Sequence, residues 1–159
     1  MRTTKTDERV YAVERQVQWF YDNVPSRRAN ISGVELQLEP EARFGDLEGI
    51  RRYVERVQAM PAVLEAFPAH LHRPVRVRER QTGHAAHYKL NVIAVNTRGD
   101  GWAMRELVIL HELAHHYADT PGHGPKFIAA EVELFKLVMG PQVSLALRLL
   151  FDQHNLAMA

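Results

Sequence analysis

Two histidines and a glutamate in the stretch LVILHELAHHYADTPGHGPKF, residues 107–127, have the types and spacing of a metal site. His111 and His115 are four residues apart, so on a helix their side chains point about 40° apart, one turn above the other. Both imidazoles can then reach one ion at about 2.0–2.1 Å. Glu112 lies about 100° further around the helix, where it can contact a water on the ion without binding the metal. The pattern predicts two zinc ligands and a general base.

A third ligand is expected, because a catalytic zinc usually keeps three protein ligands and one open position. His123 is the leading candidate, since residues 120–122 can turn the chain back after the helix. Glu131 is the alternative. It is expected in the apolar stripe of the next helix, where a carboxylate needs a partner, and it could bind zinc, support a ligand imidazole or form a salt bridge at the margin of the stripe. Asp119 is a weaker alternative ligand, and His116 is expected on the surface.

The composition restricts the chemistry that is available. The chain has 159 residues and no cysteine, which excludes disulfides, a thiolate zinc site and a cysteine nucleophile. Any metal must therefore be bound by nitrogen and oxygen, and imidazoles suit zinc. The net charge of +1 provides no broad attraction to nucleic acid or to a membrane. The length predicts a single domain over residues 1–159.

The N-terminal residues MRTTKTDERV lack the apolar region of a secretory signal. No apolar run approaches the roughly 20 residues that span a bilayer. We therefore expect a cytoplasmic protein without a membrane segment.

Apolar spacing predicts the helices that surround the site. One helix is expected over residues 7–24, and a second is expected to begin after Asp46, whose side chain can cap it. Pro61 ends this helix or opens a short helical turn. Three further helices are expected in the C-terminal third, over residues 102–118, 125–138 and 142–154, the last two starting near Pro125 and Pro141.

Alternating apolar residues predict strands over 34–38, 75–80 and 87–96, with the last two paired as a hairpin through Gly83. Arg76, Arg78 and Arg80 should project from one face, either as a solvated surface or as a grip for phosphates. The elements together predict an α+β fold in which a small, mostly antiparallel sheet packs with helices.

The segments HELAH (111–115) and HGPKF (123–127) together resemble the zincin metallopeptidases. They are most similar to the SprT-like, WLM and YgjP-like proteins, and residues 102–127 also resemble an uncharacterised bacterial family of metallohydrolases. The metzincin pattern is not met, because its glycine and third histidine would fall at Ala118 and Pro121. The cysteine-based zinc ribbon that SprT-like proteins often carry is absent as well.

The resemblance implies a zincin-like fold with the HExxH motif on the active-site helix and Zn²⁺ as the cofactor. It implies a peptide or protein substrate, which the strand over 87–96 could align, with His87 and Tyr88 as candidates for holding the oxyanion. Two alternatives remain open: a non-catalytic, zinc-stabilised binding module, and a nucleic-acid-associated protease. Neutral overall charge disfavours nucleic acid as a partner.

Overall fold

The structure, a computed structural model, describes residues 3–83 and 85–159 and belongs to the α+β class. The elements, in chain order, are helix α1 (Lys5–Asn23), strands β1 (Arg28–Ile31) and β2 (Val34–Gln37), helices α2 (Leu47–Ala59) and α3 (Pro61–Ala66), strands β3 (Arg76–Glu79), β4 (Ala86–Lys89) and β5 (Val92–Val95), and helices α4 (Glu106–Ala118), α5 (Pro125–Val138) and α6 (Pro141–Gln153). A short 3₁₀ helix (Ala69–Leu71) precedes β3.

The chain divides into two compact units. The first combines the two ends of the chain, up to Pro40 and from Thr120 onwards, and the second is Glu41–Asp119. The single domain expected over residues 1–159 stays a prediction. No helix in residues 3–83 and 85–159 is both long enough and apolar enough to cross a bilayer.

In the first unit, α1 begins with a capping box in which Thr4 and Asp7 each bond the backbone N–H of the other. This arrangement satisfies N–H groups that have no partner within the helix. The predicted apolar stripe is confirmed, because Val10, Val13 and Val17 are buried.

The hairpin of β1 and β2 also belongs to the first unit, with both strands against α6. The sequence predicts β2 and misses β1. Ser32 and Gly33 join the strands with positive φ angles of 53° and 80°, which suit a tight two-residue hairpin turn.

In the second unit, α2 packs against a three-stranded sheet with the strand order β3-β5-β4. The predicted cap is confirmed, since the Asp46 side chain accepts from the backbone N–H of Gly49 at 2.8 Å. The predicted helical turn from Pro61 is confirmed as α3. The sheet is mixed, because β3 pairs with β5 in parallel and β4 pairs with β5 antiparallel.

The predicted hairpin between residues 75–80 and 87–96 is therefore wrong. The second stretch is broken at Leu90 and Asn91, whose φ angles are 48° and 64°. Two consecutive left-handed residues make a tight hairpin turn, so β4 and β5 pair with each other and β5 lies beside β3. A leucine rarely adopts this conformation, so Leu90 is expected from the sequence to continue the strand and not to form a turn. His84, in the predicted connection, lies outside the described residues.

Candidate metal centre

Helix α4 of the second unit carries the HExxH motif and is buried on nearly every side. His111 and Glu112 are buried and His115 is half-buried. The imidazole rings of His111 and His115 have centroids 5.0 Å apart with planes at 77°, and each offers a ring nitrogen within 4.8 Å of the other's. The four-residue spacing thus brings the two rings together as the sequence predicts, in an arrangement that suits ligation of one ion.

The helix begins at Glu106 rather than at residue 102 as predicted. Residues just before it pair with the start of the second unit instead, through an isolated antiparallel bridge between Arg43 and Arg105. The backbone N–H of Phe44 donates to the carbonyl of Met104, and that of Glu106 donates to the carbonyl of Ala42. These bonds hold residues 104 and 105 extended and delay the helix start.

A buried ion pair fixes this end of α4. The Arg105 guanidinium binds the Glu41 carboxylate twice, Nε to Oε2 at 2.9 Å and Nη2 to Oε1 at 2.8 Å. Glu41 also accepts from the backbone N–H of Leu107 in the first turn. Glu106 accepts from the backbone of Ala42 and from the Tyr53 hydroxyl. The histidines therefore stand on a helix whose start is held by charged hydrogen bonds.

Glu112 lies against the edge strand of the sheet. Helix α4 packs against β4, and the backbone N–H of Tyr88 on that strand acts on the Glu112 carboxyl. Burial raises the pKa of Glu112, although His111, Arg80 and the Tyr88 N–H each act to lower it. A raised carboxyl pKa is a property expected of a general base that works near neutral pH.

His123 belongs to the first unit, just before α5, and is 8% exposed. Its Nδ1 donates to Oδ1 of Asp7 at 2.8 Å. Tyr11 and Phe127 meet the ring edge-on, with centroids 5.0 Å and 4.8 Å away. With the Nδ1–H bound to a carboxylate, Nε2 carries the lone pair that can bind a metal, as in carboxylate–histidine–zinc arrangements.

The same carboxylate is held at its other oxygen. Oδ2 of Asp7 accepts from the backbone N–H of Thr4 at 3.0 Å. Burial alone would raise the pKa of Asp7, but the Thr4 N–H and then His123 lower it overall. Asp7 is therefore ionised at neutral pH and fixed in orientation, as a residue that positions an imidazole must be.

Glu131, the alternative third ligand, is fully buried on α5, as its place in the apolar stripe predicts. Glu14 on α1, in the same unit, offers a carboxylate oxygen within 4.8 Å of one from Glu131. Two carboxylates this close share a proton or a cation, because both cannot stay ionised alone. A cation close to the two carboxylates would relieve this repulsion.

His116 is not on the surface, contrary to prediction, and is only 1% exposed. Its Nε2 lies 2.7 Å from the carbonyl of Leu71, which can only accept, so Nε2 donates. Its Nδ1 must then accept from the Tyr88 hydroxyl at 2.7 Å. Burial, ahead of other effects, lowers the pKa of His116. It is a neutral histidine that ties α4 to β4 and to the 3₁₀ helix.

The remaining candidates lie apart from the histidine pair on α4. The Tyr88 hydroxyl is engaged by His116 and by the backbone N–H of Asn91. His87, next to Tyr88 in the strand, points to the opposite face of the sheet. Asp119 is exposed, has a φ angle of 53°, and pairs with His70 at 3.6 Å. The oxyanion role of His87 and Tyr88 stays a prediction.

Two acidic residues of this region are missed from the sequence, Asp7 and Glu14. The capping-box spacing of Thr4 and Asp7 indicates a helix start, but nothing in it indicates a contact with a residue 116 positions away. The sequence gives a weak indication that Glu14 faces the interior, because it follows Val13 directly and is four residues from Val10 in the buried stripe.

Comparisons of the chain with protein-family models, with curated proteins and with solved structures give no match. The zincin resemblance of residues 102–127 therefore stays a prediction.

Proposed function

We propose that the protein is a zinc-dependent hydrolase, and that its substrates are peptides. His111, His115 and His123 are the proposed ligands, and Glu112 is the proposed general base. The observation that carries the proposal is the convergence of the His111 and His115 rings on α4, directly beside the buried carboxylate of Glu112.

The donor atoms support zinc as the metal. Imidazoles without thiolates suit a borderline cation such as Zn²⁺. The His123 ring supports its role as third ligand, because Asp7 holds the Nδ1–H at 2.8 Å and so fixes the tautomer in which Nε2 carries the lone pair. Glu131 is proposed to support a ligand imidazole rather than to bind zinc itself, because the Glu14 carboxylate is already a close neighbour of its own.

The reaction follows from what these residues do. A zinc ion bound here would polarise the substrate carbonyl and make water a better nucleophile at neutral pH. Glu112 accepts the proton of the attacking water and then donates it to the leaving nitrogen. Burial of Glu112 keeps its pKa above the usual carboxyl range, which favours both steps.

The buried Glu112 also argues for catalysis over a non-catalytic zinc module. Burying a carboxylate costs free energy, and ligation by three histidines does not require it. Helix α4, which carries Glu112, packs against β4, and the Tyr88 N–H lowers the pKa of Glu112, so this strand lies next to the proposed base. An extended peptide aligned along such an edge would bring its bonds close to Glu112.

Substitution of Glu112 by Gln tests the assignment. The variant should retain the zinc content of the wild type, about one ion per chain, because the ligands are untouched. It should lose about 10²–10⁴-fold in hydrolysis of a mixed pool of unstructured peptides, because an amide cannot accept the proton. Mass spectrometry of the digested pool measures this loss. A variant that cleaves at the wild-type rate would remove Glu112 from the mechanism, and a wild type that holds zinc without cleaving the pool would favour the non-catalytic module.

A further inference from the structure

The outer face of the three-stranded sheet in the second unit forms an open concavity of about 330 Å³. The register sets two rows across it. Arg76, Val92 and Lys89 form one row, and Arg78, Ala94 and His87 form the other. In both rows the central strand supplies the apolar member and the outer strands supply the basic ones.

The spacing of this surface is defined by sheet geometry. Neighbouring strands lie about 4.8 Å apart, so the basic side chains of β3 and β4 flank the apolar floor from strands about 10 Å apart. Along each strand the two rows are about 6.7 Å apart. The result is an aliphatic floor, in which Val92 is half-buried and Ala94 is buried, with Arg76 and Arg78 on one side and Lys89 on the other.

The cations have no acidic partner within the described structure. Residues 3–83 and 85–159 contain no carboxylate in an ion pair with Arg76, Arg78 or Lys89. All three side chains are exposed. Arg80 does not line the concavity; its guanidinium donates to the carbonyl of Ala86, and that of Arg78 donates to the carbonyl of Glu79. Of the three arginines in the predicted basic stripe, only Arg76 and Arg78 line the concavity, and Lys89 lines it from the other outer strand.

The face also carries positive potential and an apolar rim. Burial first, and then Arg80, Arg78 and Lys89, lower the pKa of His87, so an anion is favoured there. Leu90, at the end of β4, is 79% exposed and lines the same concavity. Exposed leucine beside unpaired cations suits a ligand that is both acidic and aliphatic.

We propose that this face binds an acidic segment of a polypeptide, whose carboxylates pair with Arg76, Arg78 and Lys89 while its aliphatic side chains pack on Val92 and Leu90. Nucleic acid fits less well. The described residues that line the face include no Phe, Tyr or Trp on which bases could stack. The chain's net charge of +1 also provides no extended track for a phosphate backbone. This proposal is independent of the zinc chemistry.

Binding can be measured with the full chain carrying Glu112→Gln, so that no probe is cleaved. The probe is a fluorescein-labelled ten-residue peptide of alternating Glu and Val, followed by fluorescence anisotropy. We expect saturable binding that weakens as salt is added. The pair Arg76→Glu with Arg78→Glu should weaken binding by at least about tenfold, because two attractive contacts become repulsive.

The matched control is the pair Arg9→Glu with Arg52→Glu, which makes the same change in net charge at exposed positions that do not line this concavity. It should bind as the parent does. The pairs Arg76→Gln with Arg78→Gln and Arg9→Gln with Arg52→Gln repeat the comparison without charge reversal, in case reversal disturbs folding. A Gln-Val peptide of equal length should bind at least about tenfold more weakly than the Glu-Val peptide.

Three results would overturn the proposal. In the first, the two charge-reversal pairs weaken binding equally, so that only net charge matters. In the second, the Gln-Val peptide binds as well as the Glu-Val peptide. In the third, a labelled DNA duplex binds more tightly than the acidic peptide and depends on Arg76 and Arg78, which would make the face a nucleic-acid surface.

Discussion

The Asp7 carboxylate connects the start of α1 to a proposed zinc ligand. One oxygen accepts from the backbone N–H of Thr4, and the other accepts from Nδ1 of His123. The helix cap thereby fixes the position and the tautomer of an imidazole that is distant in sequence. Carboxylates in this position raise the basicity of the ligand and restrict its rotation.

Replacing Asp7 with Asn should weaken zinc binding by roughly 10–100-fold, the range typical of residues that support a metal ligand. The amide has one acceptor oxygen, which cannot serve both Thr4 and His123. Competition with a chromogenic chelator measures the affinity. Thr4→Ala is the matched control, since it removes the hydroxyl that accepts from the Asp7 N–H and leaves His123 untouched.

The control should cost about 1 kcal/mol of stability through the lost cap and leave zinc affinity unchanged. Equal affinities for Asp7→Asn and the wild type would mean that Asp7 serves the helix cap alone.

At the scale of the element, α4 is held at its start by a buried charge pair. The side chains of Arg105 and Glu41 are 2% and 3% exposed, and the two hydrogen bonds between them are nearly equal in length. Glu41→Gln should destabilise the protein by about 3–5 kcal/mol, because it removes the buried carboxylate charge that both guanidinium nitrogens bind. Urea denaturation measures the change.

The control for this effect is Glu48→Gln, which removes an exposed partner of Arg51. Exposed pairs contribute little, so this variant should unfold nearly as the wild type does. If both substitutions cost the same, the pair at the start of α4 has no special role in holding the helix.

The elements also show how far the sequence could predict the structure. The apolar stripe of α1, the Asp46 cap and the proline starts of α5 and α6 are local signals, and each is confirmed. The pairing of β3 with β5 is not local. It depends on a tight turn at Leu90 and Asn91, and leucine is not a residue that indicates such a turn.

In the candidate site, too, local features are predictable from the sequence and tertiary contacts are not. The convergence of His111 and His115 follows from helix geometry and is confirmed. The burial of His116 is not predictable from its position on the helix, because it depends on Tyr88 and Leu71, which reach it from other elements. The contacts of Asp7 and Glu14 are likewise set by tertiary packing.

At the scale of the whole molecule, zinc binding and folding should be linked. A ligand that binds only the folded chain stabilises it by RT ln(1 + [L]/Kd), which is about 2.7 kcal/mol at 100 times Kd. Thermal unfolding with buffered zinc should therefore give a higher Tm than unfolding after chelation. His111→Ala should abolish most of this difference, and His70→Ala, at an exposed position, should preserve it. A zinc-dependent Tm that survives His111→Ala would place the metal elsewhere.

The most direct test of the account is the zinc affinity of single ligand variants, measured by chelator competition at one pH. His111→Ala, His115→Ala and His123→Ala should each lose more than the roughly 10–100-fold that a supporting residue costs, while Glu131→Gln should stay within that range. His70→Ala should bind as the wild type does. If Glu131→Gln abolished binding and His123→Ala barely changed it, the ligands would be His111, His115 and Glu131. Equal affinities in all variants would contradict a metal centre on α4.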